Sequence, residues 1–264
     1  MQKLDSNFLR KYGPWAVVTG ASSGIGKAIA VELANSGFKL ILVGRDLSRL
    51  QNITRDFGKT VEVIPVVADL SIETENERLI DISMRYNVGL LVLCAGYGTS
   101  GPIYHTSKDS ELGMAKLNML SSLHLTHHFA NRFVGLGKGG IVLMSSIVSF
   151  QGVPRASNYA ATKAYIQTLS EGLALELKGT NVDLIAGAPG PVKSGFEKRA
   201  NMRLQNAIEP KLVATEILNS LGKKMTVYPG IFSKFARVGL GMLPRTIRTA
   251  IMGKIMKGFT AHQR

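Results

Sequence analysis

The 264-residue chain is predicted to fold as an α/β protein: a Rossmann-like, doubly wound parallel sheet in a single domain, with a basic helical C-terminal tail. Three observations predict it. Short apolar runs alternate with segments of helical period. Turns containing glycine, serine or proline follow the apolar runs, and the residue types that bind and catalyse gather at those turns. In an open parallel sheet, ligands lie at the carboxyl ends of the strands, so such a gathering is expected there.

Trp15-Ala16-Val17-Val18 reads as the first strand, Thr19 to Gly26 as a turn and Lys27 to Ser36 as a helix. That order suits a pyrophosphate. Gly20, Gly24 and Gly26 let the backbone approach the phosphates, while Ser22, Ser23 and Ile25 fall where a helix N-terminus presents free N–H groups and a positive dipole. The spacing Gly-x-x-x-Gly-x-Gly differs from the commoner Gly-x-Gly-x-x-Gly, and a glycine turn by itself also fits an ordinary strand-to-helix loop.

Lys39 to Val43 is the second strand and ends in Gly44-Arg45. Many dinucleotide folds place an acidic residue here for the ribose hydroxyls; an arginine fork suits a 2′-phosphate instead, which points to NADP(H). The alternative is a surface Arg45 paired with Asp46. Val61 to Val67 is the third strand, leading to Ala68-Asp69-Leu70, where Asp69 suits a helix cap, an adenine contact, or both. Glu73 to Arg85 reads as a polar helix and Val88 to Leu93 as the fourth strand. Small residues follow in Cys94-Ala95-Gly96 and leave room for a flat ring.

Two helical patterns run from Ser107 to Phe133 and join at Asn118. His124, His127 and His128 lie there without a Cys or acidic partner at ligand spacing, so they read as packed or solvated residues and no metal is expected. Ile141 to Met144 is a strand with Ser145-Ser146 at its end. Beyond Gly152 and Pro154, helical spacing resumes near Ser157 and sets Tyr159 and Lys163 on one face. A free phenol titrates near ~10; an ammonium one turn away favours the phenolate, which would make Tyr159 a usable proton donor. Ser146 would hydrogen-bond the same substrate oxygen. Tyr-x-x-x-Lys alone equally fits a surface tyrosine beside a solvated lysine. Asn181 to Ala186 forms a further strand, closing in a turn that holds Pro189, Gly190, Val192 and Ser194. From Ser194 to Ala207, Phe196, Met202 and Leu204 mix with Lys198, Arg199 and Arg203, as in a mobile substrate lid.

With these residues assembled, the chain resembles the classical short-chain dehydrogenase/reductase superfamily from about Trp15 to Val227. The resemblance rests on TGASSGIG at 19–26, ADL at 68–70, CAG at 94–96, Asn118, Ser146, YAATK at 159–163 and PGPVKS at 189–194, in order and at the expected distances. The opening KYGPWAVVTGASSGIGKAIA is similar to the branch containing 17β-hydroxysteroid dehydrogenases and long-chain 3-oxoacyl reductases. The resemblance implies an NADP(H)-dependent enzyme that interconverts a ketone and a secondary alcohol. Tyr159 would exchange the proton, Lys163 would lower its pKa and bind the nicotinamide ribose, Ser146 would orient the carbonyl, and Asn118 would complete a water-linked proton path. Pro189, Val192 and Ser194 would hold the carboxamide end. The family also forms dimers or tetramers through helices here at about Glu111–Val134 and Ser157–Leu177. Cys94 departs from the usual Asn-Ala-Gly and puts one strand-to-strand hydrogen bond in doubt.

A single cysteine excludes an internal disulfide, and the opening segment has no signal-peptide pattern, so a cytoplasmic enzyme is expected. The formal charge of +14 is concentrated late: after Glu216 there are nine lysines and arginines and no acidic residue. The chain therefore divides into residues 1–228, the catalytic part, and 229–264, a basic amphipathic extension of the same domain. No window reaches the ~18 uncharged apolar residues of a membrane span. The tail is expected to dock peripherally on an anionic membrane; the competing reading has its apolar residues covering the active site or an oligomer partner. A nucleic-acid partner is not expected, because the charge lies on a Met-, Ile- and Phe-rich tail without a nucleic-acid motif. A non-catalytic NADP-binding regulatory protein remains the alternative to an enzyme. The expected substrate is lipophilic, steroid-like or 3-oxoacyl.

Overall fold

The computed structural model describes residues 4, 6–57, 60–204 and 206–263. Seven parallel strands form one sheet in the order β3-β2-β1-β4-β5-β6-β7: β1 Trp15–Thr19, β2 Lys39–Gly44, β3 Val63–Val67, β4 Val88–Leu93, β5 Gly139–Met144, β6 Val182–Gly187 and β7 Thr226–Val227. The chain leaves β3 at one edge and returns on the far side of β1, which opens a crevice between β1 and β4 where the winding reverses.

The strands are apolar on both faces because both faces are covered. On β1, Ala16 and Val18 pack under helices α2 (Gly24–Asn35), α3 (Leu47–Phe57) and α9 (Pro210–Ser220), with Leu33, Leu50 and Ile217. Trp15 and Val17 face α4 (Glu73–Met84), α6 (Ser122–Leu136) and α7 (Ser157–Glu176), with Leu79, Phe129, Phe133 and Ile166. Helix α1 (Ser6–Tyr12) closes the amino end of the sheet, α5 (Lys108–Ala115) precedes α6, and α8 (Phe196–Arg199) follows β6.

The register explains why the expected site residues converge. Val66, Val43, Thr19, Leu93, Leu143, Ala186 and Thr226 form one continuous row of partners across all seven strands. Each strand ends within a residue or so of that row, so the turns that follow rise on the same side of the sheet.

Several boundaries differ from the sequence expectation. Helix α2 begins at Gly24, about a turn before Lys27, so it takes up the end of the glycine turn. Strand β5 begins at Gly139 rather than Ile141: a Cβ on Gly139 would stand 2.3 Å from Phe133, so the space of a strand side chain is already filled. The junction at Asn118 is a π-helical segment, Lys116–Ser121, that runs without a break between α5 and α6. Strand β7 has two residues, too few to show a period.

The tail forms α10 (Ile231–Gly241) and α11 (Arg245–Phe259). Among the described residues, no helix is long and apolar enough to cross a membrane. Arg264, the last residue of the tail, lies outside the described residues.

Candidate active site

A cavity of about 910 Å³ lies above the aligned strand ends. Its floor at the β1–α2 turn is shaped by what glycine lacks. Gly20 and Gly24 have φ of +64° and +55°, and a Cβ on Gly20 would stand 2.9 Å from the backbone of Ala95. In the first turn of α2, a Cβ on Gly26 would stand 2.4 Å from the Gly20 carbonyl oxygen. Ser23 occupies the N-cap position in extended conformation, yet its side chain makes no capping hydrogen bond. The first N–H groups of α2 are therefore left to an anion in the cavity, which Ser22, Ser23 and Ile25 also line. A dinucleotide pyrophosphate fits this cradle.

At the far end of the floor, Arg45 Nη1 lies 3.7 Å from Asp69 Oδ2. Asp46, the expected alternative partner of Arg45, instead pairs with Arg49 at 3.0 Å. Burial works against the Asp69 carboxylate, but hydrogen bonds from Ser71 and the Arg45 charge outweigh it and hold its pKa below the usual range. Asp69 does not cap α4: its Oδ1 accepts from the Ser71 N–H at 3.0 Å, and Ile72 is the N-cap. Leu70 lines the same end. At the β4 end, the N–H groups of Cys94 and Ala95 both donate to Thr19 Oγ1, at 3.1 and 3.0 Å. The tie between β1 and β4 that Cys94 put in doubt is thus made by a hydroxyl and two backbone groups. Burial pushes the Cys94 thiol up to about 12, so near neutral pH it packs as a small apolar group. Gly96 completes this wall.

Tyr159 stands in the first turn of α7 and Lys163 in the next, and both line the cavity. Ser146 follows β5; its hydroxyl lies 3.4 Å from both the Pro189 carbonyl and the Val148 N–H. Burial pushes the Tyr159 phenol up to about 12, and the Ser146 hydroxyl acts in the opposite direction through a hydrogen bond. The expected acidification by Lys163 is not seen: its Nζ donates to the Met144 carbonyl at 2.8 Å and sits 5.8 Å from the Tyr159 ring centroid. Burial brings the Lys163 ammonium itself down to about 8.

Asn118 does not line the cavity. Its Nδ2 donates to the Tyr97 carbonyl (2.9 Å) and to Thr162 Oγ1 (3.1 Å), and its Oδ1 accepts from the Tyr97 N–H (3.2 Å). The side chain braces the segment after β4 against α7. Pro189, Gly190, Val192 and Ser194 line the cavity beside Ser146, and the Gly190 N–H donates to Ser233 Oγ at 3.0 Å. Ser233 is a tail residue that no motif or spacing marks out beforehand.

The upper wall is apolar. Phe196 packs on the Tyr159 ring with centroids 5.2 Å apart, and a Cβ on Gly98 would collide with it. Met202 joins Val153, Ala156, Met252 and Met256 in one buried cluster. Arg199 is the only charged residue of the 194–207 segment that reaches the cavity, among the described residues. That segment is fastened rather than loose: Ser100 Oγ donates to the Ala200 carbonyl at 2.6 Å, and the Arg203 N–H donates to the Phe259 carbonyl at 2.9 Å. The tail supplies Phe232, Leu240, Met252, Ile255, Met256 and Phe259 to the wall. Their sequence signal was the run of bulky apolar residues, which does not say which surface it meets. Of the histidines, His124 meets Glu77 at 2.8 Å and His128 lies edge-on to Phe129. Among the described residues, no group of three or more His, Cys, Asp or Glu could hold a metal.

A nucleotide-shaped floor beside a tyrosine, a lysine and a serine defines the class, and the comparisons agree. The short chain dehydrogenase family model matches residues 14–205, and the chain belongs to that family. It is 30% identical over 257 residues to a 7beta-hydroxysteroid dehydrogenase of Clostridium sardiniense, covering 94% of this chain and 98% of that protein. A 7beta-hydroxysteroid dehydrogenase of Collinsella aerofaciens is 28% identical over 239 residues, covering 85% and 89%. Among solved structures, one concerned with 7beta-hydroxysteroid dehydrogenase stereoselectivity matches with a TM-score of 0.86 at 25% identity, over 93% of this chain and 98% of that one. A Sphingobium yanoikuyae short-chain dehydrogenase in complex with NADPH matches with a TM-score of 0.78 at 28% identity, over 88% and 97%. The chain is therefore an oxidoreductase of the short-chain dehydrogenase family.

Proposed function

We propose that the protein reduces a lipophilic ketone to a secondary alcohol with NADPH, and runs the reverse reaction when the pH or the substrate ratio demands it. One observation carries this reading: Ser146, Tyr159 and Lys163 meet where the glycine-lined floor joins an apolar wall, so a carbonyl there would stand between a nucleotide and a lipophilic space. The reduced nicotinamide, when bound, supplies the hydride. Tyr159 gives its phenolic proton to the substrate oxygen as negative charge develops there, and the Ser146 hydroxyl donates to the same oxygen. A phenol near 12 is a poor acid toward water but a sufficient one toward an alkoxide, a much stronger base than phenolate. The oxidative direction needs the phenolate and is favoured by alkali. Lys163 binds the nicotinamide ribose, and Asn118 is a positioning residue that acts through Tyr97 and Thr162.

Arg45 at the end of β2 supports the phosphorylated cofactor, because the position expected to be acidic for NAD carries a guanidinium. The related structures include one in complex with NADPH. The names of the relatives support a hydroxysteroid-like substrate. Exposed leucines on α5 and α7, including Leu112 and Leu175, with Leu120 of the π segment, support a homo-oligomer built on those helices. We place the enzyme in the cytoplasm.

The test is NADPH and NADH oxidation with a panel of steroid, 3-oxoacyl and aromatic ketones, for the wild type and Arg45→Asp. Turnover of bulky ketones with NADPH is expected, and the variant should lose NADPH affinity about 10- to 100-fold more than NADH affinity, the size of a lost charge-assisted bond. Equal losses would make Arg45 structural, and no turnover of any ketone would return the protein to the non-catalytic, NADP-binding reading.

A further inference from the structure

The tail has two apolar surfaces, and only one of them is used. Met252 and Met256 on α11 are buried in the cluster that walls the cavity. On α10, Ile231, Phe232, Phe235 and Val238, with Met242 just beyond its end, are between 63% and 82% exposed. Ile231, Phe235, Val238 and Met242 recur at helical spacing, so they form one outward stripe about 16 Å long. It is a ridge and not a groove, which suits a soft layer better than a peptide.

The unpaired charge of the tail is of one sign. Lys234 pairs with Glu216 at 2.9 Å, Arg237 stacks on Phe150 at 4.3 Å, and Arg248 Nη1 donates to the Phe150 carbonyl. Among the described residues, Arg245, Lys254 and Lys257 of the tail are exposed and pair with no carboxylate. The tail holds no acidic residue to offset them. The ridge also continues into the cavity: Phe232 and Ile255 are exposed and at the same time line its substrate side.

From these features we propose that α10 and the outer face of α11 form a docking surface for an anionic lipid bilayer, with Phe232 and Ile255 at a cavity mouth that opens onto it. Insertion of the ridge removes its apolar side chains from water, and the unpaired cations meet the headgroup charge. A lipophilic ketone dissolved in the bilayer would then reach the cavity without crossing water. This last consequence rests on the proposed reductase activity; the docking surface does not.

The experiment is co-sedimentation of the full chain with vesicles of phosphatidylcholine alone or mixed with phosphatidylglycerol, over a range of salt. The variant carries Phe235→Glu with Met242→Glu, two exposed positions outside the cavity lining. Wild type is expected to pellet with the mixed vesicles at low salt, to bind the neutral ones weakly, and to dissociate as salt screens the charges. The double variant should bind at least about tenfold more weakly, the effect of losing one buried aromatic side chain, with unchanged melting temperature and NADPH affinity. Indifference of the wild type to the mixed vesicles, or undiminished binding of the variant, overturns the proposal. A change in the variant's oligomeric state without lipid also overturns it, by giving the ridge to a second copy of the chain. Vesicle binding by a protein that reduces no ketone would keep the docking surface and remove only the proposed activity.

Discussion

The floor and the upper wall of the active-site cavity are built on opposite terms. The floor comes from backbone: strand ends in common register, positive-φ glycines and N–H groups left open at the start of α2. The wall comes from side chains of the 194–207 segment and the tail, gathered from far along the chain. Backbone geometry admits few residue types at a given position, whereas an apolar wall admits many. The floor should therefore be intolerant and chemically fixed, and the wall tolerant and the place where selectivity is set.

The largest expected effect lies where floor and wall meet. Tyr159→Phe keeps the ring against Phe196 but removes the transferable proton, so turnover should fall by about 10²- to 10⁴-fold. Cofactor affinity, read by NADPH fluorescence, should change little. Comparable turnover by the variant would take the proton role away from Tyr159.

A matched pair of substitutions separates floor from wall. Gly26→Ala drives a methyl to 2.4 Å from the Gly20 carbonyl oxygen, so it should destabilise by about 1–3 kcal/mol and weaken the cofactor at least as severely. Met256→Leu in the buried cluster should cost less than about 1.5 kcal/mol and shift the order of preferred ketones. If thermal melts and kinetics show equal losses, the contrast between the two surfaces is wrong.

That contrast also explains what was legible beforehand. The strands, the glycine turn, Arg45, Ser146, Tyr159 and Lys163 could be picked from sequence because each sits at a fixed distance from a strand end. The ion-pair partners could not: Arg45 meets Asp69 across two strands rather than the adjacent Asp46. Nor could the state of the phenol be read, because sequence spacing places Lys163 one turn from Tyr159 while burial and the Met144 carbonyl decide what the charge does. The tail showed its composition but not its partition, since Met256 and Phe235 look alike in a sequence and only packing separates a wall residue from an outward one.

Lys163 sharpens the comparison through stability. Its pKa is near 8 in the folded protein, below the 10.5 of an unburied lysine, so the unfolded chain holds this proton more tightly. The resulting penalty is fully present below pH 8 and fades as pH rises from 8 toward 10.5. Lys163→Met should thus abolish turnover and yet add on the order of 1–3 kcal/mol at pH 7, raising the melting temperature by several degrees. The gain should shrink across that alkaline window. A variant less stable than wild type at pH 7 would mean that the hydrogen bond to Met144 outweighs the burial penalty.

The smallest expected effect tests a polar link between the tail and the turn after β6. Ser233 is 2% exposed, and its Oγ accepts from the Gly190 N–H in the turn proposed to hold the carboxamide end of the cofactor. Ser233→Ala leaves that part-buried N–H without its protein partner, at a cost of about 0.5–1.5 kcal/mol, while the apolar packing of α10 is unchanged. A small fall in melting temperature is expected from any buried hydrogen bond, so it is not diagnostic. The informative readout is the KM for NADPH, which should rise severalfold with little change in kcat, because the turn loses its aim rather than its chemistry. Ser233→Thr, which retains an acceptor oxygen, should recover most of it. If KM stays fixed while stability falls, the turn is held by the bond between the Ile147 N–H and the Pro189 carbonyl alone, and the tail shapes only the substrate side.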